Sequence, residues 1–397
     1  MRKSRKRKEF FTICVLALIS ISILLYFHYT REKFNVPSNL PKVYITCQHN
    51  IRRNVYKDCV VEIDYDSTIG KIKIRGVRNY FFPKQEYRLQ LSEQKSFLNM
   101  RTDDDWILFA MYNDFTGLRI KLCFDLWRSL EPTDATAILP KSEYVNLYIN
   151  NEYKGLYLLA EKDDRKLFDL DDYQKNTKSS FIFKINSVFN FTNYNEDAWE
   201  QNYPDIEEYN LKDKILPDLT SFIEASSDLE FFDPKVGIYS KFDKKNLIDF
   251  FIFNHFIYHG DFWNRNIILL RNTSPSKYIL IPWDFDASFG QYGELTNHPR
   301  SNTSKDINAH NYLFRRLINN RDFMWNSRVR WLELREELWT EDYIMNKLFN
   351  YYKDIKESLK ISMTVYDLDK KIDRYVDYLI DWIPERLEYC DEYFLHY

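Results

Sequence analysis

The chain has 397 residues, with 56 Lys and Arg against 59 Asp and Glu and a net charge of −3. Residues 1–31 hold seven Lys and Arg and one Glu, and removing that +6 leaves −9 on residues 32–397, which argues against non-specific nucleic-acid binding. Gly is scarce at 8 residues, and neither G-x-G-x-x-G nor G-x-x-x-x-G-K-[ST] occurs, which excludes the glycine-rich nucleotide-binding fingerprints.

Residues 1–9 form a basic tail. FFTICVLALISISILLYFHYT (10–30) follows without Lys, Arg, Asp or Glu. About 20 apolar residues span a bilayer, Tyr26, Phe27 and Tyr29 suit the aromatic belt, and no A-x-A cleavage site follows. The expectation is one transmembrane anchor, its basic flank cytoplasmic and the rest of the chain extracytoplasmic or lumenal. Residues 31–42 read as a Pro-containing linker.

From residue 43 the pattern is β. VYITC (43–47), VVEIDY (60–65), KIKIRG (71–76) and YRLQL (87–91) are predicted strands, the last two with polar–apolar alternation. Asp103–Asp105 are expected to cap a following element. GLRIKLCFDLWRSL (117–130) places Leu118, Leu122, Leu126 and Leu130 on one helix face, with Arg119 and Lys121 off that line. EYVNLYINNEYKGLYLLAEK (143–162) is a hairpin turning at Asn150-Asn151, with Glu161 and Lys162 at its open end. FIFKIN (181–186) is a strand, and residues 187–212 read as a surface insertion. NLIDFFIFNHFIYH (246–259) is apolar almost all round and marks a buried helix, in which Asn254 needs a partner. Beyond 305 the 3- and 4-residue apolar spacing is helical throughout.

Residues 259–290 carry the chemistry. IILLR (267–271) and YILI (278–281) flank NTSPSK, a turn segment, so a β-hairpin is predicted. Asn266 and Asp284 each lie nine residues from Pro275 and should meet at its open end. Paired strands sit about 5 Å apart, close enough for one Mg²⁺, which takes oxygen ligands alongside substrate phosphates. Asp261 stands five residues before Asn266, the spacing of a kinase catalytic loop, and Asp284 falls where a second metal-binding Asp is needed. Asp286 is a further candidate ligand. Among the five Cys there is no C-x-x-C pair, and Cys47 and Cys59 are placed to form a hairpin disulfide in an oxidising compartment.

These residues resemble the CotH kinase family of atypical protein kinases. The likeness runs through IRGVRNYFFPKQEYRLQL, DDWILFAMYNDFTGLRIKL, VNLYINNEYKGLYLLAEK, LIDFFIFNHFIYHGDFWNRN and IPWDFDASFG, and into the helical tail. The resemblance implies an α+β, kinase-like two-lobed fold, with a β-rich lobe over 43–186 and a helical lobe over 210–397. The catalytic domain would occupy 43–304, and 305–397 would be its helical C-terminal part. It also implies ATP-dependent phosphorylation of Ser or Thr on a protein substrate, with Mg²⁺ (or Mn²⁺). By position Asp261 matches the catalytic Asp, Asp284 the metal-binding Asp, and Asn266 a metal ligand of the general kinase pattern. Arg75 and Gly76 match the start of the family's RG loop, Arg88 the basic residue of its Y-R strand, and Glu161 the acidic residue closing the third block. Arg119 and Lys121 match a recurring basic pair. The chain departs from the pattern at Gln90, where Lys is common, and at Lys184, where the strand often ends in an acidic residue.

Two other readings fit parts of the sequence. Asp284-Phe285-Asp286 is also a D-x-D, the metal–nucleotide-sugar motif of many glycosyltransferases, and the sequons at Asn190, Asn272 and Asn302 suit a lumen. Loss of the strand Lys at Gln90 suits an inactive pseudokinase scaffold.

Overall fold

Alternation builds the first half of the molecule. In β1 (Lys42–Cys47), β2 (Lys57–Ile63), β3 (Asp66–Ile74, from Thr68) and β4 (Tyr87–Lys95, to Leu91) every second residue is buried, as a strand with one face on a core requires. β5 (Asp103–Phe109), α1 (Arg119–Arg128), β6 (Ser142–Ile149) and β7 (Glu152–Glu161) follow. These strands close into a barrel in the order β1-β2-β3-β4-β5-β7-β6, sealed by parallel pairing of β6 with β1. Val43, Ile45, Val61, Ile72, Leu89, Trp106, Leu108, Val145 and Leu159 fill it. The computed structural model describes residues 36–64, 66–76, 81–260, 262–293, 295–368 and 371–397. The anchor expected at 10–30 lies outside them, and among the described residues no helix is long and apolar enough to cross a membrane.

Asp103–Asp105 do not cap a helix; they open β5. Trp106 and Leu108 point into the barrel, while Ile107 and Phe109 point out against α1. The aspartates are held by cations instead, Asp103 by Arg101 and Lys166, Asp105 by Arg88 and Lys162. The leucine face of α1 is buried as expected, but so are Arg119 and Lys121, because the helix is enclosed nearly all round.

β8 (Phe181–Ile185) does not join the barrel. It pairs with β9 (Trp199–Tyr203) and β10 (Ile267–Arg271) in a second sheet ordered β11-β10-β8-β9, where β11 is Ile279–Pro282. The β-rich N-terminal portion therefore ends before β8, short of the expected boundary at 186. β9 lies inside the stretch read as a surface insertion; WEQNY has too little apolar alternation to signal a strand.

Helix α2 (Lys212–Ala225) follows, α3 (Lys244–Ile257) packs on β11 of this sheet, and every residue of α3 from Asn246 to Ile257 is buried. Asp243 caps α3 by accepting from the Asn246 N–H. Asn254 donates to the Phe250 carbonyl at 2.7 Å. The tail is helical as read: α4 (Ser304–His310), α5 (Tyr312–Ile318), α6 (Arg321–Glu337), α7 (Glu341–Val365) and α8 (Ile372–Leu395). A second core joins the outer faces of β5–β7, the second sheet and these helices. The fold is thus mixed α+β, β-rich first and helical after. Cys47 and Cys59 are directly opposite in β1 and β2, but both are free buried thiols rather than a disulfide.

Candidate functional site

The predicted hairpin forms: β10 and β11 are antiparallel, from Leu270 opposite Ile279 to Ile267 opposite Pro282. One step further the Trp283 N–H donates to the Asn266 carbonyl at 3.0 Å. Asn266 and Asp284 therefore leave the open end as near neighbours. Both have left-handed backbones, φ 60° and φ 63°, which Asn and Asp tolerate better than other side chains. Asp284 is exposed. Among the described residues its carboxylate has no hydrogen-bond or ion-pair partner.

The loop after Asp284 is tied down at both ends. His259 Nε2–H donates to the Asp284 carbonyl, the Gly260 N–H to the Ala287 carbonyl at 3.2 Å, and the Phe289 N–H to the Ile257 carbonyl at 2.6 Å. These bonds lay the segment that leaves α3 alongside residues 284–289. Asp261, which follows Gly260, lies outside the described residues. Phe285 anchors the loop against Phe124 and Phe253. Arg119, 1% exposed, donates to the Ser288 carbonyl and to Gln291 Oε1, both at 2.9 Å, so α1 grips the loop's far end.

The remaining candidates divide. Arg75 leaves β3 at the barrel's outer face, paired with Glu86 at 3.2 Å and 4.9 Å above the Phe109 ring. Phe109 in turn meets Trp283 at 6.2 Å, which joins the barrel to the Asp284 strand. Gly76 has φ 84°, a backbone that favours Gly; the loop at 77–80 lies outside the described residues. Arg88 shares that outer face but is held bidentate by Asp105 at 3.1–3.2 Å.

Three candidates have other engagements. Glu161 is opposite Trp106, so it faces the barrel interior, where its oxygens accept the Arg101 and Lys141 N–H groups at 2.8 and 2.9 Å. Lys121 lies on the face of α1 opposite Arg119 and Cys123 and pairs with Asp125 at 3.0 Å beside the Tyr351 ring. Asp286 accepts from Asn113 Nδ2 at 3.1 Å.

A residue that the sequence shows only as a departure enters instead. Lys184 on β8 is opposite Ile268, which is opposite Ile281, so it shares a sheet face with Trp283. Its Nζ sits 4.7 Å above the Trp283 ring and 3.9 Å from Asp163. Burial first, then the charge of Arg75, pull its pKa below the usual lysine value, against Asp163 and Asp284. A lone Lys inside the apolar run FIFKI was the available signal, since a Lys set among core-forming residues needs a partner.

Among the described residues no three His, Cys, Asp or Glu side chains cluster as a metal site. An exposed Asp carboxylate whose backbone neighbours an Asn nevertheless suits Mg²⁺, which uses one or two protein oxygens and completes its shell with water and phosphate.

Residues 72–390 match the family described as CotH kinase protein. The chain belongs to that family. Inner spore coat protein H of Bacillus subtilis (strain 168) is 21% identical over 376 residues, covering 90% of this chain and 98% of that protein. Two kinase structures overlap it loosely. The Helicobacter pylori proinflammatory kinase CtkA is 14% identical with a TM-score of 0.30, covering 78% of this chain and 94% of the other. The Golgi casein kinase with Mn/ADP bound is 11% identical with a TM-score of 0.25, covering 89% and 74%. TM-scores this low do not establish a shared fold.

Proposed function

We propose that this CotH-family chain is a membrane-anchored kinase that moves the γ-phosphate of ATP to Ser or Thr of extracytoplasmic or lumenal proteins, with Mg²⁺ or Mn²⁺. One observation carries the reading: the hairpin's open end brings Asp284, whose carboxylate has no partner among the described residues, next to Asn266, on a loop bonded to the segment that precedes Asp261. Asp284 and Asn266 would hold the metal, which neutralises phosphate charge when bound. Asp261 would accept the acceptor hydroxyl's proton as its oxygen bonds to the γ-phosphorus and ADP leaves. The nucleotide would lie between the barrel's outer face and the second sheet. Residues 10–30 would anchor the chain, with the basic tail cytoplasmic.

The D-x-D reading draws less support, because Asp286 accepts from Asn113 while Asp284 has no partner among the described residues. Equilibrium binding of Mg–ATP and Mg–UDP-sugar separates these readings. Mg–ATP binding that is lost in Asp284→Ala supports the kinase. Binding of UDP-sugar alone supports the transferase, and binding of neither supports a scaffold.

A further inference from the structure

The positions from which phosphate contacts were expected are occupied or uncharged. Arg88 commits its fork to Asp105, Lys121 is paired with Asp125 on the far face of α1, and Gln90 carries no charge. Lys184 differs from all of these. Its side chain is 17% exposed, its nearest carboxylate is 3.9 Å away, and no described residue accepts a hydrogen bond from it. An ammonium carries three donors and is costly to withdraw from water without acceptors. Trp283 covers it on one side with a ring face, which supplies electrostatic attraction but no acceptor.

The neighbours sharpen the point. Arg75 lies over Phe109, which meets Trp283 beneath Lys184, so both cations flank one aromatic contact at the barrel–sheet junction, and the charge of Arg75 opposes that of Lys184. Asp163, Asp284 and the cross-strand Glu200 attract Lys184, and none of them is in hydrogen-bond contact with it. Lys184, Arg75 (itself paired with Glu86 at 3.2 Å) and the Asp284 carboxylate, which has no partner among the described residues, make an incomplete set. An anion with several oxygens would complete it, taking bonds from Lys184 and Arg75 beside a metal that Asp284 would hold.

We infer that Lys184, reaching from β8 in the second sheet, is the phosphate-binding cation of this site, with Arg75 beside it, in place of a lysine at the Gln90 position. The assignment rests on the reading of the site as one for a Mg–nucleotide. Asp163 acts as a positioning residue, holding the ammonium over Trp283 and toward Asp284.

The test is binding of Mg–ATP, Mg–ADP and adenosine to the full chain and to Lys184→Met, Lys184→Gln and Asp284→Ala. Removing the charge-assisted bonds of Lys184 should weaken Mg–ATP by about tenfold or more, leave adenosine within about twofold, and narrow the gap between ATP and adenosine. Lys184→Gln keeps most of the side chain's length and its polarity and guards against collapse of the buried site; it should show the same selective loss. If both Lys184 variants bind Mg–ATP like the wild type while Asp284→Ala does not, Lys184 is only a structural partner of Asp163 and the nucleotide reading stands. If the wild type binds no Mg–nucleotide, that reading and the assignment fall together. Equal weakening of ATP and adenosine also overturns it, since that marks a general loss of structure.

Discussion

Replacing Arg119 by Met should destabilise the protein and loosen the loop that carries Asp284. The guanidinium donates to Asp114 Oδ1 at 2.6 Å, to Thr116 Oγ1 at 3.0 Å, and to the Ser288 carbonyl and Gln291 Oε1 at 2.9 Å each. Arg119 is 1% exposed and the Asp114 side chain is fully buried. Met fills most of the volume, so the loss is mainly polar. Asp114 keeps the N–H groups of Thr116 and Arg119 but loses its cation, and two acceptors at the loop's far end lose their donor. Breaking a buried ion pair from one side costs about 3–5 kcal/mol, a large part of the roughly 5–15 kcal/mol that holds a domain. Urea unfolding reads the stability, and amide hydrogen exchange over 285–291 reads the loop. Arg119→Lys separates the two effects: it keeps a charge for Asp114 but cannot also reach Ser288 and Gln291, so exchange should rise more than stability falls. A loss below about 1 kcal/mol with unchanged exchange would refute the clamp, since even one neutral hydrogen bond is worth about that much.

Arg330→Met should cost a similar ~3–5 kcal/mol in urea unfolding, because Arg330 holds the buried Asp249 of α3 through bonds of 2.8 and 3.1 Å; adding Asp249→Asn should recover part of the loss. Gly290→Ala should lower stability by about 2–3 kcal/mol or block folding: φ is +73° and a Cβ there would collide with Trp382 Nε1. Burial pulls the Lys84 ammonium down to about 7, with Glu86 opposing. The unfolded chain keeps that proton to about pH 10.4, so above pH 7 the unfolded state binds the extra proton. Stability should therefore climb by up to about 1.4 kcal/mol per pH unit from pH 7 toward 10 and stay flat from this source below 7. Urea midpoints at pH 7, 8 and 9 should show the climb in the wild type and lose it in Lys84→Met.

The hairpin at 267–282 was legible because its signal is local: two apolar runs, a turn between them, and polar residues placed symmetrically about Pro275. The buried helix α3 was legible for the same reason, an apolar run too long for a strand. Barrel closure was not, because the β6–β1 pairing joins residues about a hundred positions apart and leaves no periodic trace. The direction of Glu161 was not, because it depends on strand parity against Trp106, and a one-residue change of register reverses it. In sequence Arg119 is a helix residue off the leucine line, and its work as a clamp needs the loop at 288–291 in place. Lys184 is a departure from a pattern until the pairing of β8 with β10 brings it over Trp283.

The most direct test of the site is transfer of labelled γ-phosphate from ATP, with Mg²⁺ or Mn²⁺, by the full chain and by Asp284→Ala, Asn266→Ala and Asp261→Ala, using self-phosphorylation and a general Ser/Thr protein acceptor. The expected result is metal-dependent label on Ser or Thr with the wild type, lost with Asp284→Ala and Asp261→Ala and reduced with Asn266→Ala. Undiminished transfer by a folded Asp284→Ala, or transfer that survives removal of divalent metal, would contradict it.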